Sequence, residues 1–142
     1  MIQKFFFKAF IILASYCLLV LLVVNFYDDN PSSMKWEDRE EFNRQFINQL
    51  KIDRFDFEQA MSKLGKPDIS EEKYDGPLYF QVVFYRTQHM KSDGYTTQDE
   101  CTYLFFVNGI LKEYAIASQY KGLDQLIAQY QQKISRYRLM SH

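Results

Sequence analysis

The stretch CTYLFFVNGILKEYA, residues 101–115, decides the fold. At its centre stands Asn108-Gly109, the dipeptide best suited to a two-residue type I′ turn, which needs positive φ at both central positions. Aromatic and β-branched residues flank it, the side chains that favour strands. A two-residue loop pairs Val107 with Ile110, Phe105 with Lys112 and Tyr103 with Tyr114. Leu78 to Arg86 carries the same strand chemistry, and Asp93-Gly94 is predicted to turn the first hairpin, pairing Ser92 with Tyr95 and so Arg86 with Cys101. In this register Phe80, Val82 and Phe84 share a face with Tyr103, Phe105, Val107 and Ile110. The opposite face carries Tyr79, Val83, Tyr85, Leu104, Phe106 and Leu111. With both faces apolar, an antiparallel sheet must be covered on both sides.

Helices are available for both. From Trp36, the residues Phe42, Phe46, Ile47 and Leu50 recur at helical spacing. A second helix is predicted to start at Asp56, with Gln59 completing a capping box and Phe57, Ala60, Met61 and Leu64 as its apolar stripe. Gly65 suits a left-handed cap, and Pro67 prevents continuation. Residues 69–77, ending Asp75-Gly76-Pro77, read as a loop. Leu123, Leu126, Ile127, Tyr130, Ile134 and Tyr137 define one face of a long final helix. The expected fold is therefore α+β: two helices packed on a three-stranded antiparallel sheet, with a C-terminal amphipathic helix on the other face.

Ahead of this head, Ala9 to Tyr27 contains no charged residue, and a helix of that length just crosses a hydrocarbon core of about 30 Å. Lys4 and Lys8 precede it, and Asp28 and Asp29 follow. Positive charge stays cytoplasmic, which predicts a single-pass signal-anchor in the inner membrane with the C-terminal part in the periplasm. No small-residue cleavage site ends the run, and Cys17 follows the bulky Tyr16, unlike a lipoprotein cysteine. The organisation expected is a cytoplasmic stub at 1–8, a transmembrane segment at 9–27, a linker at 28–35, an α+β domain at 36–117 and the last helix at 118–142. Beyond the span the net charge is −3, which argues against a nucleic-acid footprint. Cys101 is the one cysteine there, so an intramolecular disulfide in the head is excluded.

Several blocks carry a family resemblance: Trp36-Glu37-Asp38-Arg39-Glu40-Glu41-Phe42-Asn43-Arg44, Leu64-Gly65-Lys66-Pro67-Asp68 and Val83-Phe84-Tyr85-Arg86-Thr87. Ser92-Asp93-Gly94, Thr96-Thr97, Asp99-Glu100-Cys101-Thr102 and Asn108-Gly109 continue it. Together they resemble a small proteobacterial envelope family, domain of unknown function 3192, similar in layout to the SmpA/OmlA (BamE-like) lipoprotein domain. The resemblance spans residues 36–115 and implies two helices on a three-stranded sheet and a role in the cell envelope, with no established activity. Family members look like lipoproteins, whereas this chain reads as anchored by a span.

The functional candidate is the stretch from Thr87 to Glu100, long for a hairpin connection. Arg86, Thr87, His89, Asp93, Gly94, Thr97, Asp99 and Glu100 are the candidate partner-binding residues. Cys101 is a candidate reactive thiol, with Arg86 opposite it favouring the thiolate. His89 as its base falls opposite Gln98, three pairs and about 10 Å from Cys101, beyond direct proton transfer. No fixed ligand spacing for zinc or calcium is present, and no metal or cofactor is expected. The bland reading is a turn at Asp93-Gly94, a buried Cys101, and Arg86 paired with Asp99 or Glu100 in an exposed ion pair. The favoured expectation is a non-enzymatic, membrane-tethered interaction module that binds an envelope protein, through the sheet edge or the long hairpin, and no nucleic acid. The alternative is a thiol-based redox or sensor activity centred on Cys101.

Overall fold

A computed structural model of the chain describes residues 1–26, 33–90 and 93–141. Its order is α1 (Ile2–Phe26), α2 (Trp36–Ile47), α3 (Phe57–Leu64), β1 (Ile69–Asp75), β2 (Leu78–Arg86), β3 (Cys101–Val107), β4 (Ile110–Ile116) and α4 (Leu123–Met140). The helix α1 is long and apolar enough to cross a membrane, and none of its residues is buried. It starts at Ile2, so Lys4 and Lys8 lie inside its first turns rather than before it. Tyr27 and most of the expected linker lie outside the described residues.

The sheet is antiparallel and has four strands in the order β1-β2-β3-β4, where three were expected. The missed strand is β1, in the segment read as a loop. Its sequence, ISEEKYD, lacks apolar alternation because it is an edge strand: apart from Ile69 it is exposed throughout. Gly76 and Pro77 form the two-residue turn into β2, with Gly76 at φ +59°.

The predicted β2–β3 register holds, from Phe80↔Val107 to Arg86↔Cys101. The β3–β4 register holds only next to the turn, where Asn108 and Gly109 take φ +49° and +81°. A bulge at Phe105/Phe106 then shifts the ladder, so Phe105 faces Glu113 and Tyr103 faces Ala115, correcting the expected partners Lys112 and Tyr114. The bulge has a local use: the extra residue, Lys112, reaches Asp53 at 2.6 Å, and Glu113 accepts from the Tyr103 hydroxyl at 2.5 Å.

Both sheet faces are covered. Phe80, Val82, Phe84, Tyr103, Phe105 and Val107 pack against Leu126 and Ile127 of α4. Val83, Tyr85, Leu104, Phe106 and Leu111 pack against Ile47, Phe55, Ala60 and Leu64. Ile110, expected on the α4 side, is exposed. The α3 capping box forms as predicted: Gln59 N donates to Asp56 Oδ1 at 2.8 Å, and Asp56 N to Gln59 Oε1 at 3.1 Å. Gly65 caps with φ +74° and ψ −161°, a positive-φ extended conformation rather than the left-handed helical one expected. The α4 stripe is buried at Leu126 and Ile127 and half-buried at Leu123, Tyr130 and Ile134, while Tyr137 is exposed. The last turns of α4 therefore run past the core they were predicted to join.

Candidate functional site

Arg86 ends β2, and its guanidinium meets four side chains. Nε lies 3.3 Å from Glu40 Oε2 on α2, and Nη2 lies 3.5 Å from Glu100 Oε1 at the start of β3. Nη2 also donates to His89 Nδ1 at 2.8 Å, and the guanidinium carbon lies 4.9 Å from the Trp36 ring centre. An arginine has no acceptor, so His89 meets it with the Nδ1 lone pair, which requires a neutral ring protonated at Nε2. The His89 ring also lies against Trp36, centres 5.3 Å apart. The Arg86 backbone is fixed too: its N–H donates to Asp68 Oδ2 at 3.0 Å, and its carbonyl accepts from Asn43 Nδ2 at 3.1 Å.

Glu100 is the counterpart. Its side chain is 1% exposed, yet it holds the connection between β2 and β3 at both ends. Oε1 accepts from Met90 N at 3.0 Å, and Oε2 accepts from Thr97 N at 3.1 Å and Thr97 Oγ1 at 3.4 Å. The carbonyl of Glu100 accepts from Thr87 N at 2.9 Å and Gln88 N at 3.1 Å. A buried carboxylate is costly unless it is paired and hydrogen-bonded, and here it is both. The Arg86–Glu100 pair thus has one fully buried member and one half-buried one, correcting the expected exposed pair, and Asp99 is exposed.

The other candidates divide plainly. Thr87 is buried and shares a hydrogen bond of 2.7 Å with Thr102. Asp93 is exposed and accepts from Tyr95 N at 3.0 Å, and the chain bends at Asp93-Gly94, with Gly94 at φ +78°. The turn does not close a strand ladder, which stops at Arg86↔Cys101. A short 3-10 turn, Gln98–Glu100, fills the approach to β3 and displaces the expected pairing of His89 with Gln98. The Ser92–Tyr95 pairing rests on a residue outside those described.

Cys101 is fully buried, and its Sγ donates to the Thr97 carbonyl at 3.4 Å. Burial, then the Asp68 and Glu100 carboxylates, push its thiol up to about 12, and Arg86 pulls only weakly the other way. Such a thiol is protonated and sheltered, which weighs against the nucleophile and sensor readings. Among the described residues, no group of three histidine, cysteine or carboxylate side chains is placed to hold a metal ion.

Trp36, Arg39, Glu40, Asp68, Arg86, His89, Gly94 and Thr96 line a cleft of about 410 Å3. Of these, Arg86, His89 and Gly94 were expected from the sequence, whereas Trp36, Arg39, Glu40, Asp68 and Thr96 were not. A signal existed: Trp36 is the sole tryptophan, and Glu40 follows it by one helical turn. Trp36 stays 51% exposed at the mouth of the cleft. The arrangement offers a mixed-charge cleft with an aromatic platform at its mouth.

A family model described as "Protein of unknown function (DUF3192)" matches residues 20–120. No curated protein and no solved structure matches the chain.

Proposed function

The chain belongs to the DUF3192 family of proteins of unknown function, and from that premise we propose that it is a membrane-tethered, non-enzymatic docking module of the bacterial cell envelope. In this reading α1 anchors it in the inner membrane, the head lies in the periplasm, and the stretch Thr87–Glu100 meets another envelope protein. A BamE-like relationship fits the placement of α2 and α3 together on one sheet face.

One observation carries the proposal: a buried carboxylate, paired with a half-buried guanidinium, holds a surface loop by hydrogen bonds to its backbone. Loops held in a single form by a rigid scaffold commonly serve recognition. The Lys4 and Lys8 side of α1 and the acidic Asp28-Asp29 after it support the orientation. Tethering supports the mode of action, since it raises effective concentration against partners in the same membrane.

Photocrosslinking amino acids at His89 and Tyr95 test the surface in intact cells, where a discrete protein adduct is expected and its absence at both positions refutes it. Resistance to alkaline carbonate, and a reporter fused behind His142 that is active only outside the cytoplasm, test the tether and its orientation.

A further inference from the structure

The two edges of the sheet are finished differently. At β4 the segment after α2 straps the edge: Asp53 N donates to Leu111 O at 2.9 Å, Leu111 N to Phe55 O at 2.8 Å and Phe57 N to Gly109 O at 2.8 Å. At β1 no backbone group bonds outward among the described residues, and the strand is exposed from Ser70 to Asp75.

The hairpin geometry says which groups face out. Asp75 and Leu78 flank the two-residue turn, so they exchange both backbone hydrogen bonds. Alternation then turns the backbones of Lys73, Glu71 and Ile69 toward β2, and those of Ser70, Glu72 and Tyr74 outward. The β1–β2 ladder runs without a bulge from Ile69↔Phe84 to Asp75↔Leu78. β1 itself contains no proline. An open, regular edge of this kind is a template for another strand.

The side chains that could guard it are already engaged. On one face Glu71 accepts from the Tyr120 hydroxyl at 2.6 Å, Lys73 pairs with Asp124 at 2.6 Å and Asp75 accepts from Gln131 at 2.7 Å. On the other, Glu72 accepts from the Tyr79 hydroxyl, whose ring stacks on Tyr74. With Glu71, Glu72 and Asp75 against Lys73, the strand carries a net charge of −2.

We propose that β1 is a docking strand that takes an extended, basic segment of another protein by strand addition. The proposal rests on the docking-module reading and adds a second surface and the chemistry of what it accepts. Main-chain hydrogen bonds from Ser70, Glu72 and Tyr74 supply affinity, and the carboxylates admit basic segments while repelling acidic ones. A second copy is a poorer occupant: the two-fold register that pairs Glu71 with Lys73 sets Glu72 against Glu72, and like charges directly opposite are unfavourable.

The test uses the full chain in zwitterionic nanodiscs with a synthetic decapeptide alternating lysine and valine, read by residue-resolved amide exchange. Exchange at Ser70, Glu72 and Tyr74 is expected to slow by about tenfold or more on saturation, with no effect from the matching glutamate–valine peptide. Glu72→Pro and Ser70→Pro each delete an outward donor without touching the ladder to β2, and should abolish the effect with the circular dichroism of the head preserved. Glu72→Gln keeps the donor and should retain binding. Unchanged exchange at the three amides, protection confined to residues 88–97, or proline variants that bind like the parent overturn the proposal. Protection that appears without peptide and grows with protein concentration overturns it in favour of a second copy. Adducts from His89 and Tyr95 report on the loop alone, so failure there and failure here are distinguishable.

Discussion

Replacing Glu100 by glutamine probes the reasoning most directly. The side chain keeps its size and one acceptor, but an amide nitrogen now stands where Oε1 met Met90 N or where Oε2 met Thr97 N, at 3.0 and 3.1 Å. One of those N–H groups then faces a donor and is left without a partner. Hydrogen bonds to a charged group contribute about 1.5–3 kcal/mol each, and removing one partner of a buried pair costs about 3–5 kcal/mol. Arg86 keeps Glu40, 3.3 Å away, so the lower end of that range applies: about 3 kcal/mol. For a head of this size that corresponds to a fall in Tm of roughly 10–15 °C. Thermal melts of the full chain in micelles measure it, and amide exchange locates it, with Met90 and Thr97 opening first. A Tm within about 2 °C of the parent, with those two amides as protected as before, would refute the claim that Glu100 clasps the loop.

Cys101 should resist alkylation in the folded head at neutral pH and react only on denaturation; rapid modification of the native form would revive the thiol reading. Because the folded pKa of Cys101 is raised, the unfolded chain loses that proton first, so the contribution to stability is intact below pH about 9 and falls as pH climbs toward 12. Urea melts between pH 8 and 11 measure the slope, and the buried Tyr85 and Tyr103, also shifted upward, act in the same direction. Gly109→Ala meets no atom within 4 Å, so its expected cost of about 1–2 kcal/mol is purely that of φ +81°. A melt unchanged by that substitution would contradict the turn geometry. Leu126→Ala, which opens the core between α4 and the sheet, should cost about 2–4 kcal/mol by the same melts.

What could be read from the residues followed from hydrophobic parity. A turn at Asp93-Gly94 put β2 against β3 in the observed register and matched their apolar faces, although the connection is a clasped loop rather than a tight hairpin. β1 left no such trace, because its side chains answer Tyr79, Tyr120 and polar groups on α4 instead of a core. The bulge was equally silent: nothing local distinguishes Lys112 until Asp53, far away in sequence, comes within reach. The site was half visible. Arg86, His89 and Glu100 stood out as chemistry-bearing residues of a long connection, but Trp36, Glu40 and Asp68 reach the cleft only through tertiary packing. The burial of Glu100 could not be seen, since a carboxylate beside Asp99 at a strand start ordinarily faces water.

Trp36 begins α2 and touches Arg86 and His89, while α1 ends at Phe26. The ten intervening steps of chain extend at most about 35 Å. If α1 is embedded, the clasped loop lives on a short leash and sweeps only a thin shell above the bilayer. Under the docking proposal, a partner has to be met within that shell, which narrows the search to membrane-resident or membrane-hugging proteins.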